Sequence, residues 1–225
     1  MPIIAFANPK GGSGKSTAAL LLATELALET RVAVIDADIR RRIARWAAAG
    51  NGPSKLVVFG DVTEDNVVDR VDEAAGEAPI VIVDLEGTAS KLVLLAISQA
   101  DLVVIPLQDS APDADEAAAV IRVIRQQERL SGRAAPFVVV RTRTAAAYQS
   151  RLMTYVLEQL QPTGARVLET ELAERRAFKA IWVYQCVLEQ LPVAEVSGIN
   201  NAIANARAYA QEVVQALQLS AAKTP

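Results

Sequence analysis

Short runs of consecutive apolar residues alternate along this chain with longer stretches whose apolar positions recur at helical spacing. The runs at 2–7, 31–36, 56–59, 79–83, 102–107 and 137–140 are rich in Val, Ile and Leu and bounded by polar residues, Gly or Pro, and they predict buried strands. A last short strand is expected at 166–168. Helices are expected at 14–29, 62–75, 89–99, 113–130, 148–160, 173–180 and 198–217. Strand and helix in regular alternation predict an α/β fold, a doubly wound, mostly parallel sheet flanked by helices. Gly50-Asn51-Gly52-Pro53 reads as a loop, and no repeat or low-complexity linker interrupts the pattern. Residues 1–225 are therefore expected to form one domain.

Composition sharpens that picture. Hydrophobic residues make up 52% of the chain but aromatics only 4%, so the core is expected to be built from Ala, Val, Leu and Ile. Histidine is absent and Cys186 is the single cysteine, which excludes Ser-His-Asp triads, Cys-His pairs, internal disulfides, ordinary zinc sites and cysteine-held iron–sulfur clusters. A net charge of −3 leaves nucleic-acid contact to a local basic patch. Charges such as Glu25 and Glu29 break the longest apolar runs, and Met1 leads straight into the first strand without a signal peptide, so the expected compartment is the cytoplasm.

The chemistry begins where the first strand ends, at Lys10-Gly11-Gly12-Ser13-Gly14-Lys15-Ser16-Thr17. The common pattern G-x-x-x-x-G-K-[ST] fails at Pro9, whereas the narrower K-G-G-x-G-K-[ST] matches throughout. Glycines let successive backbone N–H groups converge on phosphate oxygens, and the following helix points its positive end at the same anion. Lys15 is expected to reach the outer phosphates, Ser16 to ligate Mg²⁺ and Thr17 to donate to the inner phosphate.

Carboxylates close two of the expected strands, and strand C-termini in such a sheet face the ligand crevice. Asp36-Ala37-Asp38 ends the second strand, and Asp36 is expected to support Mg²⁺ through water or to hold the loop. Asp84 ends Ile80-Val81-Ile82-Val83 and is expected to hold Mg²⁺ through water, with Glu86 a solvent-facing neighbour. Asp113-x-x-Glu116 reads as a helix N-cap with a capping box. Arg40, Arg41, Arg42 and Arg45 form a basic run that reads either as a contact for nucleic acid or a partner or, more commonly, as a solvated helix face.

The run Asn8-Pro9-Lys10-Gly11-Gly12-Ser13-Gly14-Lys15 resembles the deviant Walker motif of the ParA/MinD family of ATPases, especially the small plasmid-partition ParA proteins. The resemblance covers nearly the whole chain. It implies a P-loop NTPase fold, ATP/ADP and Mg²⁺ as cofactors, and an ATP-sandwich homodimer in which Lys10 reaches the partner subunit's phosphates. Lys10, Lys15 and Asp38 are then the catalytic set, with Asp38 orienting the attacking water. Arg141 falls where the family places an adenine contact. Arg175, Arg176 and Lys179, extended by Arg143 and Arg151, fall where ParA proteins contact the DNA backbone, which implies nonspecific, salt-sensitive DNA binding. The implied activity is slow ATP hydrolysis, stimulated by a ParB-like partner, in a cytoplasmic, nucleoid-associated protein that moves a plasmid, chromosome or other cargo.

The chain departs from the family where Ile39-Arg40 replaces Pro-Gln after D-x-D, and where Asp84-Leu85-Glu86-Gly87-Thr88 replaces Asp-x-Pro-Pro. Residues 217–225 carry one lysine and no aromatic, unlike the membrane-docking helix of MinD relatives. A VirC-type recruitment ATPase for DNA transfer is the alternative, resembled by Asp36-Ala37-Asp38, Trp46, Asp115-Glu116-Ala117 and Glu174-Arg175. A metabolic ATP-dependent ligase of the same fold, such as a dethiobiotin-synthetase relative, is the third.

Overall fold

A computed structural model describes residues 1–86, 91–108, 110–144 and 151–222, with the side chains of 111 and 151–153 left out. In chain order the elements are β1 (Ile3–Phe6), α1 (Lys15–Glu29), β2 (Val32–Ala37), α2 (Arg42–Ala47), β3 (Leu56–Phe59), α3 (Val67–Glu77), β4 (Ile80–Leu85) and α4 (Lys91–Gln99). There follow β5 (Leu102–Leu107), α5 (Ala111–Ser131), β6 (Phe137–Thr144), α6 (Arg151–Leu160), β7 (Arg166–Val167), β8 (Leu172–Ala173), α7 (Arg176–Tyr184) and α8 (Ile199–Ala221). The strands form one parallel sheet in the order β3-β2-β4-β1-β5-β6-β7, and β8 continues along β6.

Both faces of this sheet are buried, which is why its strands read as unbroken apolar runs. Ile4, Phe6, Val32, Val34, Ile82 and Val104 point to one face, beneath α1, α7 and α8. Ile3, Ala5, Ala33, Ile35, Val81 and Val83 point to the other, beneath α3, α4 and α5. Helix α1 lies between the sheet and α8, so Leu20, Leu21 and Leu22 are all buried although they circle the helix.

Topology positions the site. The β1–α1–β2 crossover passes β4 on one face, and the β4–α4–β5 crossover passes β1 on the other. The chain thus leaves the C-terminal ends of β1 and β4 in opposite directions and opens a crevice there. The register sets Phe6 and Asp36 on either side of Asp84 at that edge.

Several expected boundaries move. Strand β6 runs on to Thr144 because Thr142 and Thr144 pair with Leu172 and Ala173 of β8. That pairing takes Ala173 from the helix expected at 173–180, and α7 starts at Arg176 instead. Helix α3 starts at Val67 after a turn in which Thr63 N–H donates to Asn66 Oδ1 at 2.8 Å. Asp113 is not the cap of α5. Ser110, in extended backbone, caps that helix and accepts from Asp113 N–H at 3.3 Å, which places Asp113 inside the first turn. The arginine run folds in part into α2, whose Ile43 and Trp46 are buried.

Gly60, just past β3, lets α2 sit this close to the sheet edge. A Cβ at Gly60 would lie 2.5 Å from the Ala44 side chain. Ala44 sits in the helix and cannot yield without moving α2. Gly60→Ala is therefore expected to destabilise the fold by about 1–3 kcal/mol in urea-unfolding curves. An unchanged midpoint would show that α2 is not clamped there.

Candidate nucleotide-binding site

The turn between β1 and α1 is tied down from several directions. Asn8 is buried, donates through Nδ2 to Pro106 O and accepts Lys10 N–H at 2.8 Å through Oδ1. Gln108 Nε2 donates to Gly12 O at 2.7 Å, and Thr142 Oγ1 donates to Ser13 O at 2.6 Å. The ends of β5 and β6 therefore hold the turn from beside it. Gly14 has φ 86, and a Cβ there would lie 3.2 Å from Thr142 Cβ, so both backbone and space require glycine. Pro9 is accommodated because position 9 needs no positive φ.

Residues 8–17 line one pocket with Asp38, Arg40, Arg42, Glu86 and Arg143. Lys15 is buried, and its Nζ lies 3.6 Å from Asp84 Oδ1. Asp84 is fully buried, and neither carboxylate oxygen accepts a hydrogen bond among the described residues. Ser13 Oγ is buried and unpartnered too. Such orphaned groups are costly, and their clustering here marks a site completed by a ligand.

Burial pushes the Asp84 carboxyl up to about 6, against the pull of Lys15 and Ser16 and with a further push from Asp36 and Asp38. A buried carboxylate without donors, beside the Ser16 hydroxyl, fits a hydrated Mg²⁺. No cluster of three or more His, Cys, Asp or Glu ligands exists among the described residues.

Asp36 spends its oxygens on the loop. Oδ1 accepts Asp38 N–H at 3.2 Å and Oδ2 accepts Ala44 N–H at 2.8 Å. Burial raises its carboxyl above the ordinary value while the Ala44 and Asp38 amides lower it. Of its two expected roles, holding the loop is the one these bonds support. Asp38 stays in the pocket wall, with Oδ1 accepting Arg40 N–H at 2.7 Å. Glu86 Oε2 accepts Ile39 N–H at 2.9 Å, so it braces the loop after β2.

Other expected residues are placed differently. Lys10 Nζ pairs at 2.6 Å with Asp113, a fully buried carboxylate that Ser110 Oγ also contacts. Arg141 does not line the pocket, and its guanidinium pairs with Glu171 at 2.7 Å. Arg143, with φ 54, lines the pocket, and its charge also acts on Glu174 beside the α7 patch. On that patch Lys179 pairs with Glu174 at 2.5 Å and Arg175 Nε donates to Asn205 Oδ1 at 3.1 Å, while Arg176 is exposed. The Arg151 side chain and Gly87-Thr88 lie outside the described residues. Thr17 accepts from Trp182 Nε1 at 3.2 Å, which ties α7 to the turn. Sequence reasoning had no signal for Arg40 and Arg42 in the pocket wall, or for Gln108 and Thr142 bracing the turn.

The chain matches the CobQ/CobB/MinD/ParA nucleotide binding domain over residues 4–182. It is 36% identical over 218 residues to protein ParA of Rhizobium radiobacter, covering 96% of this chain and 98% of that protein. It is 28% identical over 190 residues to protein virC1 of Rhizobium rhizogenes, covering 80% of each. A solved plasmid partition protein from Borrelia burgdorferi, bound to AMPPNP, superposes with a TM-score of 0.71 at 17% identity, over 95% of this chain and 98% of that one.

The raised Asp84 makes a pH prediction. The native carboxyl, at about 6, holds its proton more tightly than the unfolded one at 3.8, so ligand-free stability falls as pH rises through that window. The cost at neutral pH is about 3 kcal/mol. Asp84→Asn is expected to raise ligand-free stability near pH 7 and flatten its pH dependence in denaturant unfolding, while removing Mg²⁺-dependent nucleotide binding. A variant less stable than wild type at neutral pH would contradict this.

Proposed function

This chain belongs to the CobQ/CobB/MinD/ParA nucleotide-binding family, and on that premise we propose that it is a ParA-type ATPase that dimerises around ATP and positions a plasmid, chromosome or other cargo. The whole chain acts as one ATPase domain. The observation that carries this reading is the pair of lysines at the turn. Lys15 is buried at the pocket base, and Lys10 stands at its rim, 38% exposed and held among the described residues only by Asp113. A lysine placed at the rim suits the phosphates of a facing subunit, where a second cation stabilises charge spread during phosphoryl transfer.

In the cycle, the amides of 11–17 and Lys15 cradle the phosphates. Ser16 and, through water, Asp84 would hold Mg²⁺, which would supply charge neutralisation at the phosphates. Asp38 orients the attacking water. Lys10 leaves Asp113 for the partner's nucleotide. The dimer then presents two copies of the α7 patch to nonspecific DNA, with Arg176 its least encumbered cation, and avidity compensates for a weak single site. A ParB-like partner stimulates hydrolysis and ends the cycle. The protein acts in the cytoplasm on the nucleoid, and no described helix is long and apolar enough to cross a membrane.

The virC1 similarity supports a second reading, recruitment of DNA-transfer machinery by the same switch. Neighbouring genes separate the two: a small DNA-binding partner gene for partition, transfer genes for recruitment.

Asp38→Ala with ATP is expected to elute as a dimer in size-exclusion with light scattering, whereas ADP-bound protein and Lys10→Ala stay monomeric. A monomeric Asp38→Ala in ATP would overturn the sandwich mechanism. Substituting Arg175, Arg176 and Lys179 together by Ala is expected to weaken duplex-DNA binding of the ATP form about tenfold or more at low salt. Unchanged affinity would remove DNA from this patch.

A further inference from the structure

A second cavity of about 470 Å³ adjoins the nucleotide pocket and is lined by Arg40, Arg42, Arg45, Trp46, Trp182 and Gln185. Arg40 and Arg42 line both, so the two sites share a wall. All three arginines are exposed, and none of their guanidiniums forms an ion pair among the described residues. Several other surface cations are matched, Arg31 with Glu77, Arg41 with Asp61, Arg70 with Glu73 and Lys179 with Glu174, whereas Arg122, Arg129 and Arg176 are exposed without an ion pair among the described residues. In a chain with 26 acidic and 23 basic side chains, this cavity is a place where counter-charge is left out.

The aromatic contribution is equally specific. The chain has two tryptophans, and both line this cavity. Each indole N–H is already used, Trp46 on Ile181 O at 3.0 Å and Trp182 on Thr17 Oγ1 at 3.2 Å. Indole has no other polar atom, and Trp46 is only 2% exposed, so the apolar aromatic surface offered here is that of the half-buried Trp182 ring. The Gln185 amide donates to Arg45 O at 3.3 Å. The cavity therefore combines cations with aromatic surface, a demand met by a phosphate joined to a flat base.

We propose that this cavity is a binding site for single-stranded DNA, with Arg40, Arg42 and Arg45 on successive phosphates and an unstacked base against the indole of Trp182. A concave site can take a base only from a strand whose bases are free to leave the stack, which duplex DNA does not offer. An acidic peptide would satisfy the arginines and leave the indole surface without a partner. The site needs neither ATP nor a dimer and so stands apart from the partition reading. It reaches the nucleotide turn through Trp182 on Thr17, and the hydrolysis loop through Arg40 N–H on Asp38.

Because both tryptophans line the cavity, intrinsic fluorescence reports on it directly. The full chain without nucleotide is titrated with an oligothymidylate of about a dozen nucleotides. Saturable quenching is expected, with three phosphate contacts making affinity fall about 20-fold between about 50 and 200 mM salt. Arg45 lines this cavity and not the nucleotide pocket. Arg45→Glu is expected to weaken binding at least about tenfold. Trp182→Phe should lose most of the quench while a labelled oligonucleotide still binds by anisotropy. Absence of saturable quenching, an Arg45→Glu variant that binds like wild type, or equal affinity for a duplex or an oligoglutamate peptide would each overturn the proposal. Wild-type protein without nucleotide is monomeric and off duplex DNA in the partition reading, so failure here leaves that reading standing.

Discussion

Asp84 is a carboxylate sealed from water, with no hydrogen bond to either oxygen among the described residues, the Ser16 hydroxyl nearby and the ammonium of Lys15 3.6 Å away. Two charges buried together recover only part of what their hydration was worth. The protein keeps them because the sheet forces the juxtaposition. Strand β1 lies between β4 and β5, so the helix that follows β1 must start beside the end of β4. Removing the anion would relieve the burial, and removing the cation would leave it unanswered. The pair is thus a local instability that the rest of the core must carry, and one that a ligand bringing phosphate and a divalent cation would complete.

The surrounding fold can be read as support for that pair. Gln108 at the end of β5 and Thr142 on β6 grip the backbone of the turn. Asp36 holds the next loop by its amides instead of reaching into the pocket, which leaves Asp38 as the carboxylate of that motif in the wall. Trp182 fastens α7 to Thr17, and Trp46 fastens α2 to the same helix through Ile181. Movement of the nucleotide turn is therefore mechanically connected to α7 and α2, which carry the exposed Arg176 and the exposed Arg42 and Arg45.

Sequence was most informative where a local rule decides. The strand at 102–107 is where its apolar run puts it, because a strand buried on both faces has no other pattern available. The nucleotide turn was legible because glycines at positive φ are a local requirement. The family and its parallel sheet followed from that motif. What stayed hidden depends on residues about a hundred positions apart, such as Asn8 with Pro106, Gln108 with Gly12 and Lys10 with Asp113. Strand β6 was cut short in the sequence reading because Arg141, Thr142, Arg143 and Thr144 look like loop, and only pairing with the two-residue β8 extends it. Asp113 looked like a cap because caps and buried ion-pair partners use the same side chain, and Ser110 three residues earlier had the better backbone for capping.

That misreading bears on how a dimer would be controlled. Asp113 is fully buried, and one of its oxygens has no partner while the other serves both Lys10 and Ser110. If Lys10 leaves for a facing subunit's phosphates, the Ser110 hydroxyl alone remains on a buried anion. A hydrogen bond to a charged group is worth about 1.5–3 kcal/mol, so the monomer is favoured by roughly that amount until something better replaces it. A nucleoside diphosphate offers less negative charge at that position than a triphosphate. The resting pair at the rim would then set a threshold that the triphosphate crosses and the diphosphate does not, and the switch would reside as much in Asp113 as in the lysine that the motif advertises.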